Sequence, residues 1–333
     1  MNERKDNTAN LYQLEKAVQF IMEGDHFLVV SHVQPDGDAA SSTMAVGLIL
    51  KALNKSYTML NADPIPQKFQ YLSGFESVGL ASGQAPDAAK FIRVIAVDCA
   101  DYSRIGQADA CFDPDALILN IDHHPTNDGY GAVQLIQSEA AATVEILFDL
   151  ANKLGIEWKK ELSDCIYTGL LTDTGGFRYS NTTPKVMRIA SQMLSYGTEG
   201  HRLAEHLLER IAMSHISLLK RALSTLSFEA GNRISWVQIT QQDLIETQAN
   251  NEDLEGLVNY PRNIEGVEVG VLFKEISNDT VKASFRSNGN IDVAAFAKSH
   301  GGGGHVRAAG CTLHMPLSSA VSHVIDGLKR QFV

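Results

Sequence analysis

Apolar runs that stop abruptly at polar clusters dominate the first half of the chain. Phe27-Leu28-Val29-Val30 runs into Ser31-His32-Val33-Gln34-Pro35-Asp36-Gly37-Asp38, the stretch Phe91 to Val97 stops at Asp98, and Leu117 to Ile121 stops at Asp122-His123-His124-Pro125. Continuous apolar runs of this length predict strands buried on both faces, the pattern of a parallel sheet. Helical spacing predicts helices over Leu11 to Met22, Ala39 to Leu53, Ala140 to Leu154 and Leu162 to Leu171, with a polar, frayed start before Leu11. From Thr183 to about Leu226 the pattern is helical almost throughout. Beyond it the period switches to two in Ile234 to Ile239, Val267 to Phe273 and Val281 to Phe285, with covering helices expected at Asn251 to Asn259, Val293 to Ser299 and Ser318 to Gln331. The expected architecture is α/β: a parallel-sheet N-terminal domain with flanking helices over residues 1–188, a helical linker over 189–215, and a smaller mixed-sheet α/β domain over 216–333.

A length of 333 residues fits two such domains. Lys and Arg total 28 against 39 Asp and Glu, a formal charge of −11. That balance excludes a broad phosphate-neutralising surface for long duplex nucleic acid, but it leaves room for small anions held by a local cation cluster. Cys99, Cys111, Cys165 and Cys311 are scattered without a C-x-x-C pair, so neither a disulfide framework nor a thiolate zinc site is suggested. Residues 1–20 lack the apolar run of a signal peptide, and no window approaches the roughly 18 apolar residues of a membrane span. A cytoplasmic protein without a membrane partner is expected.

In open parallel sheets chemistry sits just beyond the carboxyl ends of the strands. The residues gathered there would be His32, Asp36, Asp38, Asp98 and His123, joined by Asp173 before Thr174-Gly175-Gly176 and flanked by Asp122 and His124. Two imidazoles and four carboxylates without a thiolate suit Mn²⁺ or Mg²⁺ better than structural zinc. Six ligands are too many for one catalytic ion. Two ions about 3.5–4 Å apart, bridged by a carboxylate, use them economically and serve phosphoester hydrolysis, with Asp98 as the natural bridge. Of the paired histidines one can ligate while the other faces substrate, oriented by Asp122. Near the C-terminus, Gly301-Gly302-Gly303-Gly304-His305 either caps the preceding helix or exposes backbone N–H groups as an anion nest. Arg262, Arg286 and Arg307 in the same domain favour a phosphate-reading half-site.

The segments His32-x-x-Pro-Asp36-x-Asp38, Asp98 after a strand, Asp122-His123-His124, and Asp173 before Thr-Gly-Gly resemble the four motifs of the DHH phosphoesterases. The Gly-Gly-Gly-Gly-His segment is similar to the signature of their associated C-terminal domain. In length and layout the chain resembles the nanoRNase and pAp-phosphatase type. Its members remove mononucleotides from RNA of about two to five nucleotides and dephosphorylate 3′-phosphoadenosine 5′-phosphate. The resemblance implies two Mn²⁺ per chain, with Mg²⁺ as the alternative. His32, Asp36 and Asp98 would hold one ion, and Asp38, Asp98, His123 and Asp173 the other. His124 and Asp122 would act as the catalytic pair. Arg262, Arg286, Gly303, Gly304 and His305 would receive the nucleotide that is not cleaved, in a cleft between the domains. A soluble cyclic- or linear-dinucleotide (pApA, pGpG) phosphodiesterase is the alternative activity. A non-catalytic nucleotide sensor is the alternative class, although it would be expected to have lost a ligand. A homodimer is admitted and not required.

Overall fold

Each apolar run becomes a strand because alternate residues serve two different cores. In the computed structural model, which describes residues 2–81, 90–288 and 291–332, six strands of the first half pair in parallel: β1 (Phe27–Val30), β2 (Tyr57–Asn61), β3 (Val78–Leu80), β4 (Phe91–Val97), β5 (Phe112–Asp122) and β6 (Val133–Ile136). Their order is β3-β2-β1-β4-β5-β6. One face, with Phe27, Val29, Ile95, Val97, Leu119 and Ile121, packs under α1 (Asn2–Glu23), α2 (Gly37–Ala52), α3 (Thr143–Lys153), α4 (Lys160–Asp173) and α5 (Pro184–Ser195). The other, with Leu28, Val30, Val94 and Ala96, is covered by the 3-10 segment Tyr102–Cys111 through Ile105 and Ala108. The strand order reverses between β1 and β4. At such a reversal the loops leaving the two strands diverge and open a crevice.

Several elements differ from expectation. Helix α1 begins at Asn2, so the polar start is helical; residues 2–10 contain neither Gly nor Pro to stop it. Strands β2, β3 and β6 carry mixed, half-exposed positions that give no continuous apolar run. Asp173 is the last residue of α4 and does not lie in the following loop.

The chain divides into two compact units, Met1–Arg210 and Ile211–Val333. Residues 189–215 hold the end of α5, α6 (Gly200–Ala204), a π-helical turn (Glu205–Glu209) and the start of α7 (Met213–Ser224), and the division falls among them. The second unit continues with β7 (Ser227–Glu229), β8 (Ile234–Ile239), α8 (Gln241–Thr247), α9 (Asn259–Arg262), β9 (Val269–Ser277), β10 (Thr280–Ser287), α10 (Val293–Lys298), β11 (Gly303–His305), β12 (Ala308–Leu313) and α11 (Leu317–Lys329). Its sheet runs β11-β12-β10-β9-β8-β7, with β8 and β9 parallel and the other pairs antiparallel, hence mixed as expected. Val269, Val271, Phe273, Val281, Ala283 and Phe285 are buried with Val293, Phe296, Val324 and Leu328 from α10 and α11. On the opposite face α7 covers Val237, Ile239 and Leu272 with Leu218 and Ala222. The helix expected over Asn251 to Asn259 is a 3-10 turn (Glu252–Leu254) and then the short α9, interrupted by Gly256 in the left-handed region at φ +79°.

The glycine segment also differs. Gly301 N and Gly302 N donate to Lys298 O (3.1 Å) and Ala297 O (2.9 Å), closing α10, while Gly303–His305 forms an edge strand against Ala308–Gly310. A nest of four free N–H groups is therefore not formed: the first two glycines cap the helix and the others join the sheet. Among the described residues no helix is long and apolar enough to cross a membrane.

Candidate metal centre

His32 lies just past β1 and Asp98 just past β4, the two strands at which the sheet order reverses; Asp122 ends β5, and His123 and His124 follow it. The backbone turns sharply at Asp98, which is held at φ +53° although it is not glycine, and its N–H donates to Ile121 O at 2.9 Å. A residue other than glycine in that region costs about 1–2 kcal/mol, a strain found mostly where function needs the conformation. Here it aims the carboxylate at three imidazoles. Oδ2 is 3.5 Å from His32 Nε2, and Oδ1 is 3.6 Å from His123 Nε2 and 3.8 Å from His124 Nδ1.

One donor set contains this carboxylate and a second adjoins it through His123. In His32, Asp36 and Asp98 one ligand atom from each lies within 4.8 Å of the others, and Asp38, His123 and Asp173 satisfy the same criterion. Asp36 caps α2, accepting from the N–H groups of Asp38 and Ala39. His123 Nε2 stands 3.4 Å from Asp173 Oδ2 and 4.0 Å from Asp38 Oδ2. The ring orientations suit ligation: Nδ1 of His32 faces Val33 O at 2.8 Å, and Nδ1 of His123 faces Ala140 O at 3.2 Å. Donation to Ala140 O leaves His123 Nε2 with its lone pair turned to the carboxylates, and His32 turns its Nε2 to Asp98 and Asp36 while its Nδ1 lies between Val33 O and a guanidinium. Arg104 Nη2 lies 3.0 Å from His32 Nδ1 and adds a cation at the rim.

Asp38 is the most constrained ligand. Helix α3 starts without a side-chain cap of its own, and the buried Asp38 of α2 supplies one from outside: Oδ2 accepts from Thr143 N at 2.5 Å and Oδ1 from Val144 N at 3.2 Å. The approach requires glycine at 37 and 169. A Cβ at Gly37 would overlap the Thr172 side chain, and one at Gly169 would lie 2.7 Å from Asp38 Oδ1. Thr143 also uses its hydroxyl, which donates to Asp98 Oδ1 at 2.9 Å. One fully buried threonine thus bonds a carboxylate in each set. Sequence reasoning missed it, because a threonine opening a helix reads as an ordinary helix start.

His124 is held differently. Its Nδ1 faces the buried Asp122 Oδ1 at 2.7 Å, and Asp122 Oδ2 accepts from Asn127 Nδ2 at 2.6 Å. Asn127 in turn donates to Asn120 Oδ1 at 2.8 Å. Asp98, His123 and His124 also form a group that could hold an ion. However, Nδ1 of His124 is engaged with Asp122 Oδ1, which argues against ligation through that nitrogen.

The electrostatics bear on what belongs here. Burial, then the charges of Asp98 and Asp36, push the Asp38 carboxyl well up; burial, then Asp38, Asp36 and Asp98, do the same to Asp173. Burial would also raise Asp98, but His32, His123 and His124 together hold it below the usual carboxylate range. Four carboxylates converge with imidazoles and without an ammonium at ion-pair distance among the described residues. Like charges at such density need cations. The donor chemistry, the position of Asp98 between the two sets and the orientation of the His123 ring all fit divalent metal ions.

In the second unit, Arg262 ends α9 and Arg286 lies on β10. Cross-strand pairing sets His305 opposite Ala308, Ala308 opposite Arg286, and Arg286 opposite Gly270. Arg262 packs over Gly270, where a Cβ would lie 2.5 Å from its N and 2.7 Å from its Cα. Directly opposed residues project to the same side, so Arg262, Arg286 and His305 form one row, with Gly304 beside it and Gly303 in the next. Arg262 Nη1 is held by Asn288 Oδ1 at 2.7 Å.

Comparison with known proteins agrees with this layout. Residues 26–170 match the model of the DHH family, N-terminal domain, and residues 236–332 match that of the DHHA1 domain. The chain is 34% identical over 304 residues to a Thermus thermophilus protein named bifunctional oligoribonuclease and PAP phosphatase NrnA, covering 91% of this chain and 89% of that one. A Bacillus subtilis protein of the same name is 27% identical, over 87% and 90% of the two chains. The crystal structure of an exopolyphosphatase-related protein from Bacteroides fragilis superposes with a TM-score of 0.89 at 24% identity, covering 97% of this chain and 96% of the other, and shares the fold.

Proposed function

Because the chain belongs to the DHH phosphoesterases, and within them to the NrnA family, we propose that it hydrolyses RNA of about two to five nucleotides to mononucleotides and dephosphorylates 3′-phosphoadenosine 5′-phosphate, with the length limit set by an acidic surface. The observation that carries this reading is the pair of donor sets at the reversal of the sheet, one containing Asp98 and the other placing His123 Nε2 3.6 Å from it. His32, Asp36 and Asp98 would hold one divalent ion, and Asp38, Asp98, His123 and Asp173 a second, Mn²⁺ in the first instance. Two such ions supply neutralisation of the phosphoryl oxygens and a water acidic enough to attack phosphorus.

The remaining work falls to the chain's own groups. Asp122 fixes the His124 ring through Nδ1. Burial pulls the His124 pKa down, but the Asp122 bond, with the charges of Asp98, Asp122 and Asp36, carries it above the ordinary histidine value. His124 Nε2 can then hold a proton for the phosphate or the leaving oxygen. Asn127 keeps Asp122 in place through its other oxygen. In the second unit the row of Arg262, Arg286 and His305, with Gly303 and Gly304 alongside, would take the phosphate and base of the nucleotide that is not cleaved.

Initial rates measured side by side on pAp, pApA, pGpG, a five-nucleotide RNA, cyclic di-AMP and pyrophosphate with Mn²⁺ test the proposal. It expects pAp, the linear dinucleotides and the pentamer to lead. Preference for cyclic di-AMP would replace it with the dinucleotide-phosphodiesterase reading, and no turnover of any substrate would favour a sensor.

A further inference from the structure

Lys274 on β9 and Lys282 on β10 stand directly opposite each other in the second unit's sheet. Like charges in that position destabilise a strand pair. Lysines often protect sheet edges, but β9 and β10 are interior strands, so edge protection does not account for them. Among the described residues neither lysine has a carboxylate at ion-pair distance; Lys274 Nζ donates only to Asn251 Oδ1, at 2.7 Å. Burial, then repulsion from Lys282, lowers the basicity of Lys274. The fold gains nothing from this pair.

The register shows what surrounds it. One row across the sheet is His305, Ala308, Arg286 and Gly270; the next is Gly303, Gly310, Ser284 and Leu272; the third is Thr312, Lys282 and Lys274. All lie on the face opposite Val281, Ala283 and Phe285, the side chains buried with α10 and α11. From Arg286 to Lys282 is four residues, about 14 Å at about 3.4 Å per residue. Between the cation rows lie Gly303, Gly310 and Ser284, which leave a flat, partly open floor. Residues 211–333 carry 11 Lys and Arg against 12 Asp and Glu, whereas residues 1–210 carry 17 against 27. The second unit is thus the less acidic of the two, and four of its cations, Arg262, Lys274, Lys282 and Arg286, share this face.

We propose that Lys274 and Lys282 form a second phosphate site on this face, engaging a distal phosphate of single-stranded RNA whose nearer nucleotide occupies the Arg262, Arg286 and His305 row. The inference rests on the function proposed above and extends it. An extended single strand, whose successive phosphates stand about twice as far apart as the roughly 3.4 Å rise of a stacked duplex strand, crosses the interval in about two steps beyond that row. A dinucleotide therefore ends short of the lysines, and a tetramer or pentamer reaches them.

The test compares kcat/KM on pApA and on a five-nucleotide RNA for wild type, Lys274→Ala/Lys282→Ala and Lys274→Arg/Lys282→Arg. In the alanine variant the pentamer should lose roughly ten-fold more than the dinucleotide, through KM, and the arginine variant should recover most of the loss. The salt slope of pentamer binding, read by fluorescence anisotropy on metal-free protein, should fall by about 1.4 for two lost phosphate contacts. Equal losses on the two substrates, or an unchanged salt slope, would overturn the site. The anisotropy arm needs no turnover, so it separates this outcome from failure of the proposed activity, which would appear as an inert wild-type enzyme.

Discussion

The two units present their charged residues in opposite ways. In the first, carboxylates and imidazoles are drawn from strand ends and helix starts, and His32, Asp38, Asp98 and Asp122 are buried. Each needs a dedicated partner: Asp38 takes two N–H groups of α3, Asp98 takes the Thr143 hydroxyl, and His124 takes Asp122. In the second, long cationic side chains stand on one sheet face, ordered by strand register, and none of Arg262, Lys274, Lys282 and Arg286 is fully buried. Buried charge costs several kcal/mol unless it is paired, so the first arrangement tolerates little change and depends on cations for its balance. Exposed charge is nearly free to place, so the second can vary residue by residue and tune what binds.

The comparison breaks most decisively at Asp98. On the proposed two-ion arrangement Asp98→Ala removes a ligand from both ions, and we expect kcat to fall at least about a thousand-fold on every substrate, pAp and bis-p-nitrophenyl phosphate alike. Asp122→Ala, which disturbs only the orientation of His124, should cost less. Calorimetric titration of the wild type with Mn²⁺ should give two ions per chain, and Asp98→Ala should give fewer. One ion at saturation in the wild type, or an active Asp98→Ala enzyme, would refute the shared ligand.

Thr143 sharpens the same point on a smaller scale. Thr143→Val keeps the N–H to Asp38 and deletes the hydroxyl that fixes Asp98 Oδ1. Loss of such a supporting bond typically weakens metal affinity about 10–100-fold. Thr143→Ser should behave as wild type. If the valine variant binds Mn²⁺ as tightly as the wild type in calorimetry, the hydroxyl only fills space.

The reason Thr143 escaped sequence reading while Asp98 did not is physical. Asp98, His32 and the Asp122-His123-His124 cluster interrupt apolar runs, and polar groups at the ends of doubly buried strands stand out. Thr143 follows Ala140-Ala141-Ala142 and has the composition of any helix start; its role depends on α2 arriving at the same point, which no local pattern encodes. Asn127 escaped in the same way, reading as a turn residue next to Pro125 and Thr126. The glycine segment misled for the converse reason. Four glycines are equally compatible with a nest, a cap or an edge strand, and pairing with Ala308–Gly310 decided the outcome. Strands β1, β4 and β5 were legible because both faces are apolar, whereas β2, β3 and β6 are short with half-exposed positions.

On the other side of the comparison, Arg262→Ala or His305→Ala should lower kcat/KM on dinucleotides about 10–100-fold, as expected for losing a charge-assisted phosphate contact. Hydrolysis of bis-p-nitrophenyl phosphate, which has no distal nucleotide, should fall far less. Proportional losses on the two substrates would mean that these residues serve the fold or the metal centre.

The smallest expected effect tests whether register alone holds the second site. Gly270 lies opposite Arg286, and the backbone of Arg262 occupies the space its side chain would take, so Gly270→Ala must lift α9 from the sheet. Forcing one methyl into packed backbone costs about 1–3 kcal/mol, a loss of several degrees in Tm for a domain of this size. Since α9 ends at Arg262, the shift should also raise KM for dinucleotides several-fold, leave the Mn²⁺ stoichiometry at two, and spare bis-p-nitrophenyl phosphate. At Gly303 nothing lies within 4 Å of the added Cβ, so Gly303→Ala should leave Tm unchanged and affect only substrates that lie across the floor. A Gly270→Ala protein with lowered Tm but unaltered dinucleotide KM would show that α9 carries Arg262 without positioning it for substrate, and the row across the sheet would lose its meaning as a binding site.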